Sequence, residues 1–176
     1  MTDETKRILA DYFGLIGSHW MMTPGERFAL VGLLDVLRPR RALEIGYGYG
    51  GFTQHLSRYA EEVHTVDSDV RVLEAEGRFR NVRSWHMRSS QAWAKFQADG
   101  RRFDFCLLDG DHSAEGAGAD LRLALRSADV IVLHDTANPG CRSGYERAFA
   151  DAGVHANLDW IAVSYTHLTL PTICSV

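Results

Sequence analysis

The sequence lacks the features that extracellular, membrane and nucleic-acid-binding proteins need. Only three cysteines occur among its 176 residues; they cannot all pair and none lies in a Cys-x-x-Cys motif, so we expect a reduced, cytoplasmic compartment. No apolar run approaches the roughly 20 residues that cross a bilayer, and the first residues do not form a secretory signal. The net charge of −4 argues against a nucleic-acid partner, which would require a basic face.

What the sequence does have is a regular alternation of apolar strands with helices of ordinary length. We predict strands at residues 42–45, 63–67, 82–85, 103–109 and 130–134, with a helical pattern after each of them. This alternation is typical of an α/β fold, a doubly wound, mostly parallel sheet with helices on both faces. Two helices precede the sheet, one around residues 8–16 and one that begins at Thr23 and ends before Pro39.

The chain divides into three predicted segments. Residues 1–38 form N-terminal helices packed on the core, and residues 39–162 form the α/β domain, which includes a strand near Trp160. Residues 163–176, which read VSYTHLTLPTICSV, resemble a translated sequencing adaptor. We therefore interpret this tail as non-native and the domain as truncated at its C-terminus. The alternative is a genuine C-terminal strand, since Val, Tyr and Thr favour strands.

Polar residues collect where the predicted strands end, which is where open parallel sheets bind ligands. The first strand runs into a glycine-rich turn that contains Gly46, Gly48 and Gly50, and glycine lets a backbone approach a ligand closely. Asp67 closes the second strand, where a carboxylate can accept both hydroxyls of a ribose. These features predict a nucleoside cofactor, although a tight strand-to-helix turn without a ligand is the structural alternative.

Glu44 distinguishes between two nucleoside cofactors. The dinucleotide motif is G-x-G-x-x-G, whereas this turn reads G-x-G-x-G with Glu44 two residues before its first glycine. A carboxylate there would repel a pyrophosphate but would suit the ammonium group of a methionyl moiety. We therefore expect S-adenosylmethionine rather than a nicotinamide dinucleotide.

Residues 43–50, together with Asp67, resemble the class I S-adenosylmethionine-dependent methyltransferases. Residues 103–113 and 131–136 narrow the resemblance to a small branch that includes macrolide-sugar O-methyltransferases and cephalosporin-hydroxylase-like proteins. It covers roughly residues 23–151, or most of the chain. The resemblance implies a Rossmann-like methyltransferase fold and methyl transfer to a small-molecule acceptor, with a hydroxyl as the expected methyl-accepting group. It leaves homo-oligomerisation open.

The resemblance also assigns roles to matching residues. The expected cofactor-binding residues are Glu44, Gly46, Gly48 and Gly50 for the methionyl part, Asp67 for the ribose, and Met87, Ser89 and Ser90 beside the adenine, with Asp109 also in the pocket. Asp109 and Asp135 match positions that hold a divalent cation, magnesium or manganese, and His112 matches a general base. His134 stands where the metal-dependent relatives carry Glu, and an imidazole ligand shifts the preference away from magnesium.

Other interpretations remain open from the sequence alone. A nicotinamide-dependent oxidoreductase would have to bind a dinucleotide beside Glu44. A non-catalytic cofactor-binding module would keep Glu44 and Asp67 but would not need His112. Asp109 and Asp135 could also be helix caps without a metal.

Overall fold

The computed structural model describes residues 20–154 and a separate strand at residues 172–175. The helices are α1 (Pro24–Leu37), α2 (Gly51–Tyr59), α3 (Glu74–Arg78), α4 (Ser89–Ala98), α5 (Ala114–Ser127) and α6 (Pro139–Asp151), with a 3₁₀ helix at Val70–Leu73. The strands are β1 (Arg41–Ile45), β2 (Glu62–Asp67), β3 (Val82–His86), β4 (Phe103–Leu108), β5 (Ala128–Leu133) and β6 (Thr172–Ser175).

All six strands form one sheet in the order β3-β2-β1-β4-β5-β6. Strands β1 to β5 are parallel, and β6 pairs antiparallel with β5. Strands β2 and β3 lie on one side of β1, and the chain then crosses to the other side, where β4 and β5 lie. This change of direction opens a crevice at the carboxyl ends of β1 and β4, and the predicted doubly wound fold is confirmed.

Helices cover both faces of the sheet because successive strand residues point to opposite sides. On one face, Leu43 and Cys106 belong to a buried cluster with residues of α4, α5 and α6. On the other face, Ala42 and Phe105 pack in a second cluster with residues of α1 and α2. The sheet is therefore buried between two apolar layers, and only its ends are available for a site.

The predicted start of α1 is confirmed as a capping box. The Glu26 backbone N–H donates to Thr23 Oγ1 over 3.4 Å, and the Thr23 backbone N–H donates to the Glu26 carboxylate over 2.7 Å. The helix ends at Leu37, two residues before Pro39, with Arg38 in a left-handed conformation at φ +45°. Within residues 20–154, no helix combines the length and apolar character that crossing a membrane requires.

Several predicted boundaries differ from those observed. The single helix predicted over residues 70–78 is a 3₁₀ turn followed by the short α3. Strands β4 and β5 each end one residue earlier than predicted, so Asp109 and His134 lie just beyond them. The helix predicted around residues 8–16 and the strand near Trp160 lie outside the described residues. Strand β6 lies inside the segment that we interpret as a non-native tail, and that interpretation stays a prediction.

Candidate active site

A cleft of about 890 Å³ opens at the carboxyl ends of the parallel strands. The predicted site residues that line it are Glu44, Gly46, Gly48, Asp67, Met87, Ser89, Ser90, Asp109, His112, His134 and Asp135. Gly50 is the exception: it is the N-cap of α2, with φ +76°, and does not belong to the cleft lining. One cavity thus brings together the predicted cofactor and metal residues.

The glycine turn after β1 is held against the end of β4. Gly46 has φ +100°, and a Cβ at this position would lie 1.9 Å from the Asp109 carbonyl oxygen. Its N–H donates to the carbonyl of Val66 over 2.8 Å. Only glycine permits this close approach, which places the turn beside Asp109.

We expect Gly46→Ala to destabilise the protein much more than Gly48→Ala. Gly48 also has a positive φ, +55°, but no atom would lie within 4 Å of a Cβ added there, so alanine costs only the left-handed conformation, about 1–2 kcal/mol. Alanine at Gly46 adds a clash with backbone that must move. Urea unfolding of the two variants measures the difference; equal losses would contradict the role of the close approach.

Asp67 organises the same turn from the end of β2. Its Oδ2 accepts hydrogen bonds from the backbone N–H groups of Tyr47 and Gly48, over 2.9 and 3.1 Å, and its Oδ1 accepts one from Asp69 N–H over 2.8 Å. A carboxylate has about four acceptor positions, so capacity remains for a ligand hydroxyl. The sequence predicted a ribose-binding acid here but not its part in shaping the glycine turn.

Glu44 is a buried carboxyl group with only 1% of its surface exposed. The hydroxyls of Thr53 and Thr65 both donate to its Oε2, the latter over 2.7 Å. Burial disfavours the charged form and raises the pKa of Glu44 to about 8, although the two hydroxyls act in the opposite direction. The group is therefore largely protonated at neutral pH, and a cation that enters the cleft stabilises its ionised form.

Three side chains beyond β4 and β5 form what we call the strand-end cluster: Asp109, His134 and Asp135. His134 Nδ1 lies 2.8 Å from Asp109 Oδ1 and 3.5 Å from Asp135 Oδ2, and one ligand atom from each residue lies within 4.8 Å of the other two. Two carboxylates and one imidazole make a mixed oxygen and nitrogen donor set that fits a divalent transition metal.

The charges of the strand-end cluster depend on each other. Burial works against a charged His134, but the facing carboxylates of Asp109, Asp135 and Glu26 outweigh it and raise the pKa of His134 to about 12. Burial also opposes ionisation of Asp109, yet its histidine partners lower its pKa below the usual value. Carboxylates therefore face both ring nitrogens of His134.

Asp135 has a left-handed backbone with φ +52°, which is uncommon for a residue other than glycine. Such strain persists where the surrounding structure enforces it, and it is concentrated at functional sites. Here the strained residue is the second one after the end of β5, and the Asp135 side chain reaches both His134 and His112.

His112 lies at the open side of the strand-end cluster, and about half of its side chain is exposed. Its Nε2 lies 3.2 Å from Asp135 Oδ2 and 3.6 Å from Asp109 Oδ1. The nearby carboxylate of Asp109 is the main reason that the pKa of His112 is raised above its usual value. An imidazole here is oriented by carboxylates and still accessible to a ligand in the cleft.

Two acidic residues near the cleft were missed by sequence reasoning. Glu26 Oε1 lies 3.6 Å from His134 Nε2. In the sequence, the capping box alone explains a glutamate at this position. Asp120 lies on the buried face of α5 and lines the cleft, where Trp93 Nε1 donates to it over 3.2 Å and burial raises its pKa to about 6. The sequence does contain one indication of Asp120: it places a charged residue next to Leu121 on an otherwise apolar helix face.

Comparisons with known proteins agree with this geometry. Residues 43–136 match the family model described as "Methyltransferase domain". The O-methyltransferase from Bacillus cereus, in complex with SAH, is 19% identical with a TM-score of 0.59, and the match covers 87% of this chain and 80% of that one. TomG, an O-methyltransferase from Streptomyces achromogenes involved in tomaymycin synthesis and solved with SAM, is 16% identical with a TM-score of 0.61, covering 89% and 80%. A search of curated proteins found no match.

The fold and the family match therefore define a class I methyltransferase architecture, as the sequence predicted. The chain belongs to the methyltransferase-domain family, whose model spans more than half of its residues.

Proposed function

We propose that this protein transfers the methyl group of S-adenosylmethionine to a hydroxyl group of a small molecule, with a divalent cation at the strand-end cluster. The single observation that carries the proposal is the position of His112, 3.2 Å from Asp135 in the same cleft as Glu44 and Asp67. A candidate base, a candidate metal site and a candidate cofactor site thus share one cavity.

The cofactor assignment depends on the two carboxyl groups at the ends of β1 and β2. Glu44 offers a buried carboxyl group whose ionised form the α-ammonium of the methionyl group would stabilise, and Asp67 retains acceptor capacity for ribose hydroxyls. The solved structures from B. cereus and S. achromogenes contain SAH and SAM, which supports the same ligand class here. Glu44 gives a pyrophosphate no positive partner when neutral and repels it when ionised, which argues against a nicotinamide dinucleotide.

Methyl transfer from a sulfonium is an in-line displacement in which the acceptor oxygen bonds to carbon as the sulfur–carbon bond breaks. The electron pair of that bond stays on sulfur, and the hydroxyl proton must leave the acceptor. His112 is placed to take this proton, and positioning of the two reactants supplies much of the remaining rate enhancement. The apolar residues Trp20, Met21 and Met22 also line the cleft, which suits an acceptor with apolar surface.

Asp109, His134 and Asp135 would hold the cation, which when bound lowers the pKa of the acceptor hydroxyl. Magnesium prefers oxygen ligands, whereas manganese, iron and zinc accept imidazole nitrogen. Because His134 is one of three candidate donors, we infer a preference for manganese over magnesium.

Titration calorimetry of the protein with S-adenosylmethionine, S-adenosylhomocysteine and NAD tests the proposal. We expect both adenosyl ligands to bind and NAD not to bind, and Asp67→Ala to weaken binding at least about tenfold, the equivalent of a lost charge-assisted hydrogen bond. Asp129→Ala, which removes an exposed acid at the amino end of β5, is the matched control. Binding of NAD alone would overturn the methyltransferase assignment.

A further inference from the structure

Glu26 connects the first turn of α1 to the strand-end cluster. Its side chain is 10% exposed, its Oε1 lies 3.6 Å from His134 Nε2, and the partner imidazole is 9% exposed. Neither group has room to turn freely to solvent. The contact therefore joins a helix that precedes the sheet to a residue that follows β5.

The two oxygens of Glu26 have different partners. Oε2 accepts hydrogen bonds from both the backbone N–H and the hydroxyl of Thr23, each over 2.7 Å. This anchorage fixes the carboxylate plane and leaves Oε1 directed at His134. The capping box thus aligns an acceptor with one particular ring nitrogen, in addition to stabilising the start of the helix.

The imidazole of His134 likewise has two distinct sides. Nδ1 faces the carboxylates of Asp109 and Asp135, at 2.8 and 3.5 Å, whereas Nε2 faces Glu26. A neutral histidine carries one ring proton, and the hydrogen bond made by one nitrogen determines which nitrogen is left to bind a metal.

We propose that Glu26 is a positioning residue. Its Oε1 accepts a hydrogen bond from Nε2–H of His134, which keeps the proton on Nε2 and so presents Nδ1 as the metal donor. This inference rests on the proposed metal-assisted function and adds to it the ligand atom and the residue that selects it. Carboxylates that orient a metal-binding histidine through its second nitrogen typically change metal affinity 10–100-fold when they are removed.

Glu26→Gln separates this role from helix capping. The amide oxygen can still accept from Thr23, but the NH₂ group would then face His134 and favour an unprotonated Nε2, which is the wrong tautomer. Thr23→Ala is the matched control, because it removes the capping hydroxyl but keeps the backbone N–H that anchors Glu26 Oε2. Thermal unfolding of both variants measures any loss of capping as a lower midpoint temperature, which we expect in Thr23→Ala.

The test is a Mn²⁺ titration of the metal-free protein followed by electron paramagnetic resonance. We expect Glu26→Gln to bind Mn²⁺ about 10–100-fold more weakly than the unmodified protein, and Thr23→Ala to bind within a few-fold of it. In the Zn²⁺-loaded unmodified protein, ¹⁵N–¹H NMR correlations should show His134 protonated at Nε2 and coordinated through Nδ1.

Three results would overturn the inference. They are unchanged Mn²⁺ affinity in Glu26→Gln, an equal loss in Thr23→Ala, or coordination of Zn²⁺ through Nε2. If the unmodified protein binds no Mn²⁺, the inference fails together with the metal part of the proposed function. Calorimetry with S-adenosylmethionine then still decides separately whether the protein binds the methyl donor.

Discussion

Replacing His112 by alanine should slow methyl transfer about 10²–10⁴-fold, the usual contribution of a positioned general base. The imidazole lies at the open side of the strand-end cluster, within 3.6 Å of both of its carboxylates, and about half of its side chain is exposed. Alanine removes the proton acceptor without opening the protein core. The affinity for S-adenosylmethionine should change little, because Glu44 and Asp67 remain in place.

The measurement is a single-turnover rate with S-adenosylmethionine labelled on its methyl group. The acceptor is chosen first by screening the unmodified protein against a panel of small hydroxylated molecules. His86→Ala is the control, since His86 is an exposed residue at the end of β3 and lies outside the cleft lining. A His112→Ala rate equal to that of the unmodified protein would remove His112 from the mechanism and leave the strand-end cluster as the candidate for acceptor activation among the described residues.

The sheet and its site could be predicted because they depend on local patterns. Apolar runs such as residues 103–108 are strands in any parallel sheet, and their carboxyl ends meet at one edge. Polar residues that follow these runs, including Asp109 and Asp135, must therefore share one cleft. The fold thus places residues that are far apart in the sequence without any knowledge of their side-chain contacts.

The predicted secondary structure was wrong where a local pattern had more than one physical explanation. The apolar spacing after residue 69 predicted one helix, but Val70 and Leu73 are 60% and 50% exposed. These two side chains gain little from burial, and the segment forms a 3₁₀ turn before α3 instead.

Glu26 shows a different limit of sequence reasoning. Its spacing from Thr23 identifies a capping box, and that motif is present in the structure. Its contact with His134, 108 positions further along, depends on how α1 packs over the sheet and on one rotamer. Contacts of that kind have no periodic signature in the sequence, so only the assembled fold shows them.

The affinity for S-adenosylmethionine should rise about tenfold between pH 6 and pH 7.5, because binding must remove the proton from Glu44. Burial raises the pKa of this carboxyl group to about 8 in the free protein, so most molecules carry a neutral Glu44 at pH 6. A bound α-ammonium group favours the carboxylate and lowers that pKa. Each unit of pH below the free-protein pKa then weakens binding by up to about tenfold.

The ligand limits this effect at the alkaline end. A free α-amino group titrates at about 7.7–8.0, so the ammonium form becomes less populated as the pH rises above 8. We therefore expect affinity to level off near that pH rather than to increase further.

Calorimetry in two buffers with different ionisation enthalpies measures the linkage directly. At pH 7 the unmodified protein should release about one proton for each S-adenosylmethionine bound. Glu44→Gln should bind more weakly at pH 7.5, release no proton from this position and show a flat affinity between pH 6 and pH 7.5 after correction for the ligand's own titration. Its amide oxygen can still accept from Thr53 and Thr65, so the fold should be kept.

Glu61→Gln is the matched control because Glu61 is an exposed acid near the amino end of β2. It should keep both the proton release and the pH dependence of the unmodified protein. Tight binding by Glu44→Gln with an unchanged pH profile would show that the ammonium group is held elsewhere. In that case the buried carboxyl group has a structural role with Thr53 and Thr65, and it does not select S-adenosylmethionine over a dinucleotide.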